Sequence, residues 1–115
     1  MKKLNLFLLL TLASSAFAGM PDTITFTFAG TVATGRRVGF DKSPYRPVYS
    51  IDFYNDGEPT KGDLTLNWNW PADLGFTFYH HGNHKTCNGT ASLRGNGYTG
   101  NMRCPSGSYG VTITE

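Results

Sequence analysis

The chain has 115 residues, ten Lys and Arg against eight Asp and Glu, and two cysteines. That length allows one domain with a modest core and excludes a multidomain architecture. The small positive charge gives no general attraction to nucleic acid, because two of the ten basic residues, Lys2 and Lys3, belong to a removable leader.

The leader occupies residues 1–18. Lys2 and Lys3 precede a mostly apolar run from Leu4 to Leu12, interrupted by Asn5 and Thr11, and Ala16-Phe17-Ala18 supplies a small-x-small cleavage pattern. The run is too short for a permanent membrane anchor. No cysteine follows the cut, so a lipid anchor is not expected. The mature domain is therefore residues 19–115, with eight basic and eight acidic side chains, and the bacterial-looking signal predicts a periplasmic or secreted protein. This is a single exported β domain.

Beyond the leader the apolar residues alternate with period two. Ile24, Phe26 and Phe28 alternate with threonines. The stretch from Gly35 to Pro47 breaks the pattern with Arg36, Arg37, Phe40, Tyr45 and Arg46 and reads as a long connection. Tyr49, Ile51 and Phe53 resume the alternation, followed by a turn-forming Asn55-Asp56-Gly57-Glu58-Pro59. Leu64, Leu66, Trp68 and Trp70 alternate with Thr65, Asn67 and Asn69 until Pro71, and Phe76 and Phe78 alternate with Thr77 and Tyr79. Tyr109, Val111 and Ile113 close the chain. With the cysteine-bearing segments, this predicts a small antiparallel β-sandwich or barrel of about seven strands.

The cysteines set the register of the C-terminal strands. Cys87 and Cys104 lie symmetrically about Gly95-Asn96, so a hairpin turning there sets them opposite one another as a cross-strand disulfide. A turn at Asn96-Gly97 would instead set Cys87 against Ser106. A turn at Gly82-Asn83 pairs Phe78 with Cys87, Phe76 with Gly89 and His80 with Lys85. One face then collects Phe76, Phe78, Cys87, Ala91, Leu93, Tyr98, Met102 and Cys104, with Gly89 leaving room beneath an aromatic ring. The other is rich in Thr and Asn.

Chemistry-bearing motifs are sparse. His80-His81-x-x-His84 resembles a metal cluster, yet strand neighbours point to opposite faces, leaving His81 and His84 as weak candidates and no metal expected. No serine sits in a nucleophile elbow. Asp52, Asp56, Glu58 and Asp63 give residues 52–63 a net −3 against +3 for residues 36–46, which predicts two loops that attract one another. An enzyme and a cofactor are not expected.

Binding is the expected function class. Trp68 and Trp70 share a strand face and are the candidate lining of a mouth for a sugar or small apolar ligand. Arg36, Arg37, Phe40, Tyr45 and Arg46 suit a protein interface. The leading expectation is a non-catalytic binding protein, inhibitor- or immunity-like, that contacts another protein in the bacterial envelope or medium. The alternatives are a small-ligand barrel using Trp68 and Trp70, or a small hydrolase whose catalytic set carries no familiar motif.

Overall fold

The computed structural model describes residues 21–69 and 73–115; the expected leader (residues 1–18), Trp70 and Pro71 lie outside the described residues. Among the described residues there are eight strands: β1 (Thr23–Phe28), β2 (Thr31–Phe40), β3 (Pro47–Asn55), β4 (Glu58–Asn69), β5 (Asp73–His80), β6 (Lys85–Arg94), β7 (Gly97–Cys104) and β8 (Gly107–Thr114). Each pairs antiparallel with the next, and β8 closes on β1, so the sheet is a closed up-and-down barrel. Antiparallel closure requires an even number of strands. Eight strands leave an interior wide enough for side chains or one small ligand, and closure removes the exposed sheet edges.

The strand that completes the barrel is β2, and its sequence explains why alternation does not reveal it. Its inward positions are small, Ala33 and Gly35, whereas Val32 and Val38 face solvent at 72% and 62% exposure. Gly35 is small because a Cβ there would lie 2.6 Å from Ile51 Cδ1 and 3.0 Å from Ile24 Cγ1. The β2–β3 register shifts between Arg37 and Gly39, a bulge that further blurs the period. Residues 35–47 are thus mostly strand, and residues 41–46 alone make the connection, tied by Asp41 N donating to Arg46 O at 2.8 Å.

The core follows the inward phase of every strand. Ile24, Phe26, Tyr49, Ile51, Leu64, Leu66, Leu74, Phe78 and Ile113 are essentially inaccessible, and among the described residues no charged or polar one is buried with them. Leu93, in phase with this face, is 47% exposed because it lies at the barrel end beside the Gly95 turn. Phe26, Phe28, Phe53 and Phe78 form an aromatic cluster with centroids 5.0–5.8 Å apart.

The C-terminal register is as expected: Phe78 pairs with Cys87, Phe76 with Gly89, Leu93 with Tyr98 and Gly89 with Met102. Cys87 and Cys104 are disulfide-bonded with Cα atoms 4.3 Å apart. Gly95 takes φ +63 at the first turn position, which selects glycine there. Gly89 sits beneath Phe76, whose Cζ would be 2.5 Å from an added Cβ.

The β5–β6 connection keeps its expected pairing with different turn chemistry. Residues 81–84 form a four-residue loop closed by His84 N donating to His80 O at 2.9 Å, and the left-handed residue is His84 (φ +58), with neither Gly82 nor Asn83 at positive φ. Side chains organise the loop instead: His80 Nδ1 accepts from Gly82 N and Asn83 N, and Asn83 Oδ1 accepts from Lys85 N.

The opposite charges of residues 36–46 and 52–63 pair within their own neighbourhoods. Asp41 meets Arg46, Asp22 meets Arg37, Asp52 meets Lys61 and Asp63 meets His81. The barrel keeps residues 36–46 at one end, whereas β3 and β4 carry residues 52–63 toward the other.

Candidate ligand-binding cavity

The two ends of the barrel are built differently. At the end holding the start of β1, the β2–β3 connection and the end of β8, Tyr49 is fully buried and its hydroxyl donates to Pro21 O at 2.7 Å. Burial pushes the Tyr49 phenol up to about 12; the Arg37 charge opposes this, and Asp22 and Glu115 reinforce it. The core beside it is packed with Ile24, Ile51, Leu64 and Ile113.

At the other end, where the β1–β2, β3–β4, β5–β6 and β7–β8 turns meet, lies a cavity of about 500 Å³. Its floor is aromatic, made by Phe28, Phe53 and Phe78; Met102 and the Cys87–Cys104 disulfide form one wall. The rim is polar and comes from the turns and the strand ends beside them: Asn55 and Asp56, Asn83 and Lys85, Ser106 and Tyr109. Two turn residues hold left-handed backbone conformations at this rim, Ala29 (φ 48) and Asp56 (φ 53), each followed by a positive-φ glycine as in a two-residue type I′ hairpin. Ser106 Oγ and Tyr109 Oη share a hydrogen bond of 2.8 Å.

His80 lines the wall of the cavity from the end of β5. It continues the inward phase of Leu74, Phe76 and Phe78, and its ring stands edge-on to Phe53 with centroids 5.1 Å apart. Nδ1 accepts the Gly82 and Asn83 amides at 3.1 and 3.3 Å, which assigns the ring proton to Nε2. Burial is the larger cause holding its pKa below the usual imidazole value; a backbone hydrogen bond opposes it and the His81 charge adds to it.

His81 and His84 lie outside the barrel, on either side of Tyr79. His81 Nε2 is 3.0 Å from Asp63 Oδ2, and His84 Nδ1 is 3.1 Å from the Tyr79 hydroxyl. Among the described residues no three His, Cys, Asp or Glu side chains converge as metal ligands. Asp56 is the one member of the acidic stretch that lines the cavity, since Asp52 and Asp63 are engaged on the outer surface.

Of the binding candidates read from the sequence, Trp68 and residues 36–46 map to the far end, and Trp70 lies outside the described residues. Trp68 pairs with Leu74 near the end of β4, away from the cavity. Arg36 is exposed, Arg37 bridges to Asp22 at 2.9 Å and lies over the Phe40 ring at 5.4 Å, and Arg46 pairs with Asp41 at 3.4 Å. Phe40 and Tyr45 are 48% and 65% exposed. His80 and Lys85, by contrast, are paired across the hairpin by the sequence, but only the turn geometry brings them to the cavity.

No protein-family model matches this chain, and no curated protein matches it. Its fold is similar to that of two redesigned beta barrels of known structure. One is 19% identical with a TM-score of 0.64, covering 87% of this chain and 94% of that one. The other, bound to DFHBI, is 18% identical with a TM-score of 0.64, covering 89% of this chain and 99% of that one. These likenesses establish the closed barrel as the architecture of the chain.

Proposed function

We propose that this protein is a small exported binding barrel that takes a small molecule into the turn-lined end. The observation that carries the reading is the cavity of about 500 Å³, with an aromatic floor and a few polar groups at its rim. Ligand sites are typically about 300–1,000 Å³, mostly apolar, with a small number of placed polar groups. The likeness to a barrel bound to DFHBI points the same way, and the disulfide suits an oxidising compartment. The ligand entrance is opposite the end that carries Trp68.

Backbone-amide NMR titration against a panel of small aromatic compounds tests this. A ligand should shift amides at residues 29–31, 54–56, 82–85 and 104–107. At a free concentration about a hundred times its Kd it should stabilise the fold by about 2.7 kcal/mol. Shifts confined to residues 36–46, or none across the panel, would overturn the reading.

A second reading, capture of an envelope protein, is favoured by the exposed Val38, Phe40 and Tyr45 beside Arg36 and Arg46 at the far end. Aromatic and arginine side chains are the usual anchors of such interfaces. If that surface is the interface, a Arg36→Ala, Tyr45→Ala double variant loses a stoichiometric partner that the parent co-purifies.

A further inference from the structure

We propose that the cavity selects flat aromatic ligands carrying an oxygen acceptor, which takes the hydrogen bond of His80 Nε2–H while the ring lies on the Phe28, Phe53 and Phe78 floor. This rests on the small-molecule reading above and adds the chemical class of the ligand.

Three observations converge on it. First, the imidazole is fixed as a donor. Two amides of the β5–β6 loop, Gly82 N and Asn83 N, donate to Nδ1, so that nitrogen is an acceptor and the proton resides on Nε2. Nε2 makes no hydrogen bond among the described residues, and the ring lines the cavity. A cavity-lining donor with no protein partner gains from a ligand that supplies an acceptor. Secondly, Gly82 leaves the ring little freedom: a Cβ there would come within 2.9 Å of His80 Cε1, so loop and imidazole are packed together. The donor is therefore preorganised and loses little entropy on binding. Thirdly, the rest of the deep surface is aromatic rings, Met102 and the disulfide, which favour a planar, polarisable body over a sugar.

Charge at the mouth is balanced. Lys85 faces His80 in register and forms no salt bridge among the described residues, and Asp56 stands on the β3–β4 turn. The neutral hydrogen bond at His80, and not a net field, is what discriminates.

The test compares probes of one shape. 2-Acetylnaphthalene carries the acceptor and 2-ethylnaphthalene lacks it; each is titrated into the protein by NMR, with the His80 side chain followed in long-range ¹H–¹⁵N spectra. The expected result is an affinity about tenfold higher for the ketone, with the Nε2-bound proton shifted downfield by the ketone alone. Equal affinities, both mapping to the turn-lined end, overturn the His80 selection and leave the small-molecule reading standing. Absence of any shift at that end with either probe overturns both. In His80→Phe the preference should vanish while 2-ethylnaphthalene still binds; a preference that persists also overturns the inference. If His80→Phe fails to fold, the side-chain spectra of the parent still decide.

Discussion

Removing the Cys87–Cys104 bridge should weaken the barrel by about 3 kcal/mol and loosen the cavity before the rest of the fold. The two residues are 17 apart. In the chain-entropy treatment a cross-link over such a loop removes about 10 cal/mol/K from the unfolded ensemble, hence about 3 kcal/mol at 25 °C. For a domain of this size that corresponds to a fall in Tm of about 12–24 °C. The native hairpin keeps its ladder from Asn88↔Arg103 to Arg94↔Gly97 without the bridge, so little native structure is lost with it. The loss falls instead at the mouth, where both cysteines line the cavity. The assay is urea unfolding of oxidised protein, reduced protein and a Cys87→Ala, Cys104→Ala double variant, with amide exchange read at residues 102–109. Reduced protein with an unchanged urea midpoint would refute the reasoning. So would a loss of exchange protection spread evenly over the barrel.

Gly62→Ala should destabilise by about 1–3 kcal/mol, because its Cβ would lie 2.6 Å from Phe78 Cζ and 2.9 Å from Tyr79 O. Phe78 can retreat only toward the cavity it lines, so ligand affinity should fall with the urea midpoint; an unchanged midpoint would contradict the packing. Burial lowers the folded-state pKa of His80, so its contribution to stability is complete above its ordinary value of 6.5 and is lost as the pH falls through the lower folded value. The urea midpoint should therefore drop as the pH falls below about 6.5, and drop less in His80→Asn, whose uncharged side chain does not respond to His81, Lys85 or Asp56. Tyr49 is raised to about 12, so stability present below the ordinary phenol value of 10.0 should be lost as pH rises through 12. Ultraviolet titration of Tyr49→Phe should lack the last phenolate to form, and an unchanged titration would place Tyr49 in contact with solvent.

The parts of the fold legible in the sequence are those in which side-chain size follows strand phase. Phe76, Phe78 and the cysteines alternate cleanly, and a single covalent constraint then selects Gly95 as the turn and sets two hairpins in register. Strand β2 is illegible for the opposite reason. Its inward residues must be small to admit Ile24 and Ile51, so its valines end up outside and its arginines look like loop. The histidine triplet divides along the same principle. Its alternation separates His80 from His81, but that His80 donates into the cavity depends on a loop folded back onto Nδ1, with its left-handed residue at His84 and not at the expected Gly-Asn. A cavity depends on how eight inward layers add up around a barrel, and no local pattern encodes that sum. The alternation through Trp68 runs along β4 without showing which end of the barrel the cavity occupies.

The division of the barrel into a packed end and an open one lets stability coexist with the proposed binding in so short a chain. At the packed end, large aliphatic side chains and the buried Tyr49 hydroxyl bonded to Pro21 fill the cross-section. At the open end the inward layer is built from rings and sulfur, and glycine at 62 makes room for Phe78. Those rings pack on one another at 5.1–5.8 Å, so the cavity floor is also the roof of the core. Polar groups enter from the turns and strand ends above that floor. Changes at Asn55, Asp56, Asn83 or Ser106 can therefore alter what the mouth accepts without disturbing the layer that holds the barrel together. His80 is the exception, because it is both the last inward residue of β5 and the acceptor that shapes the β5–β6 turn. A ligand bonded at Nε2 would engage the same ring that fixes the loop through Nδ1. Occupancy should consequently quiet the β5–β6 turn most, and slower amide exchange at Gly82 and Asn83 than at Gly30 or Gly57 would be its signature. Equal slowing at all four turns would mean that the ligand rests on the floor alone.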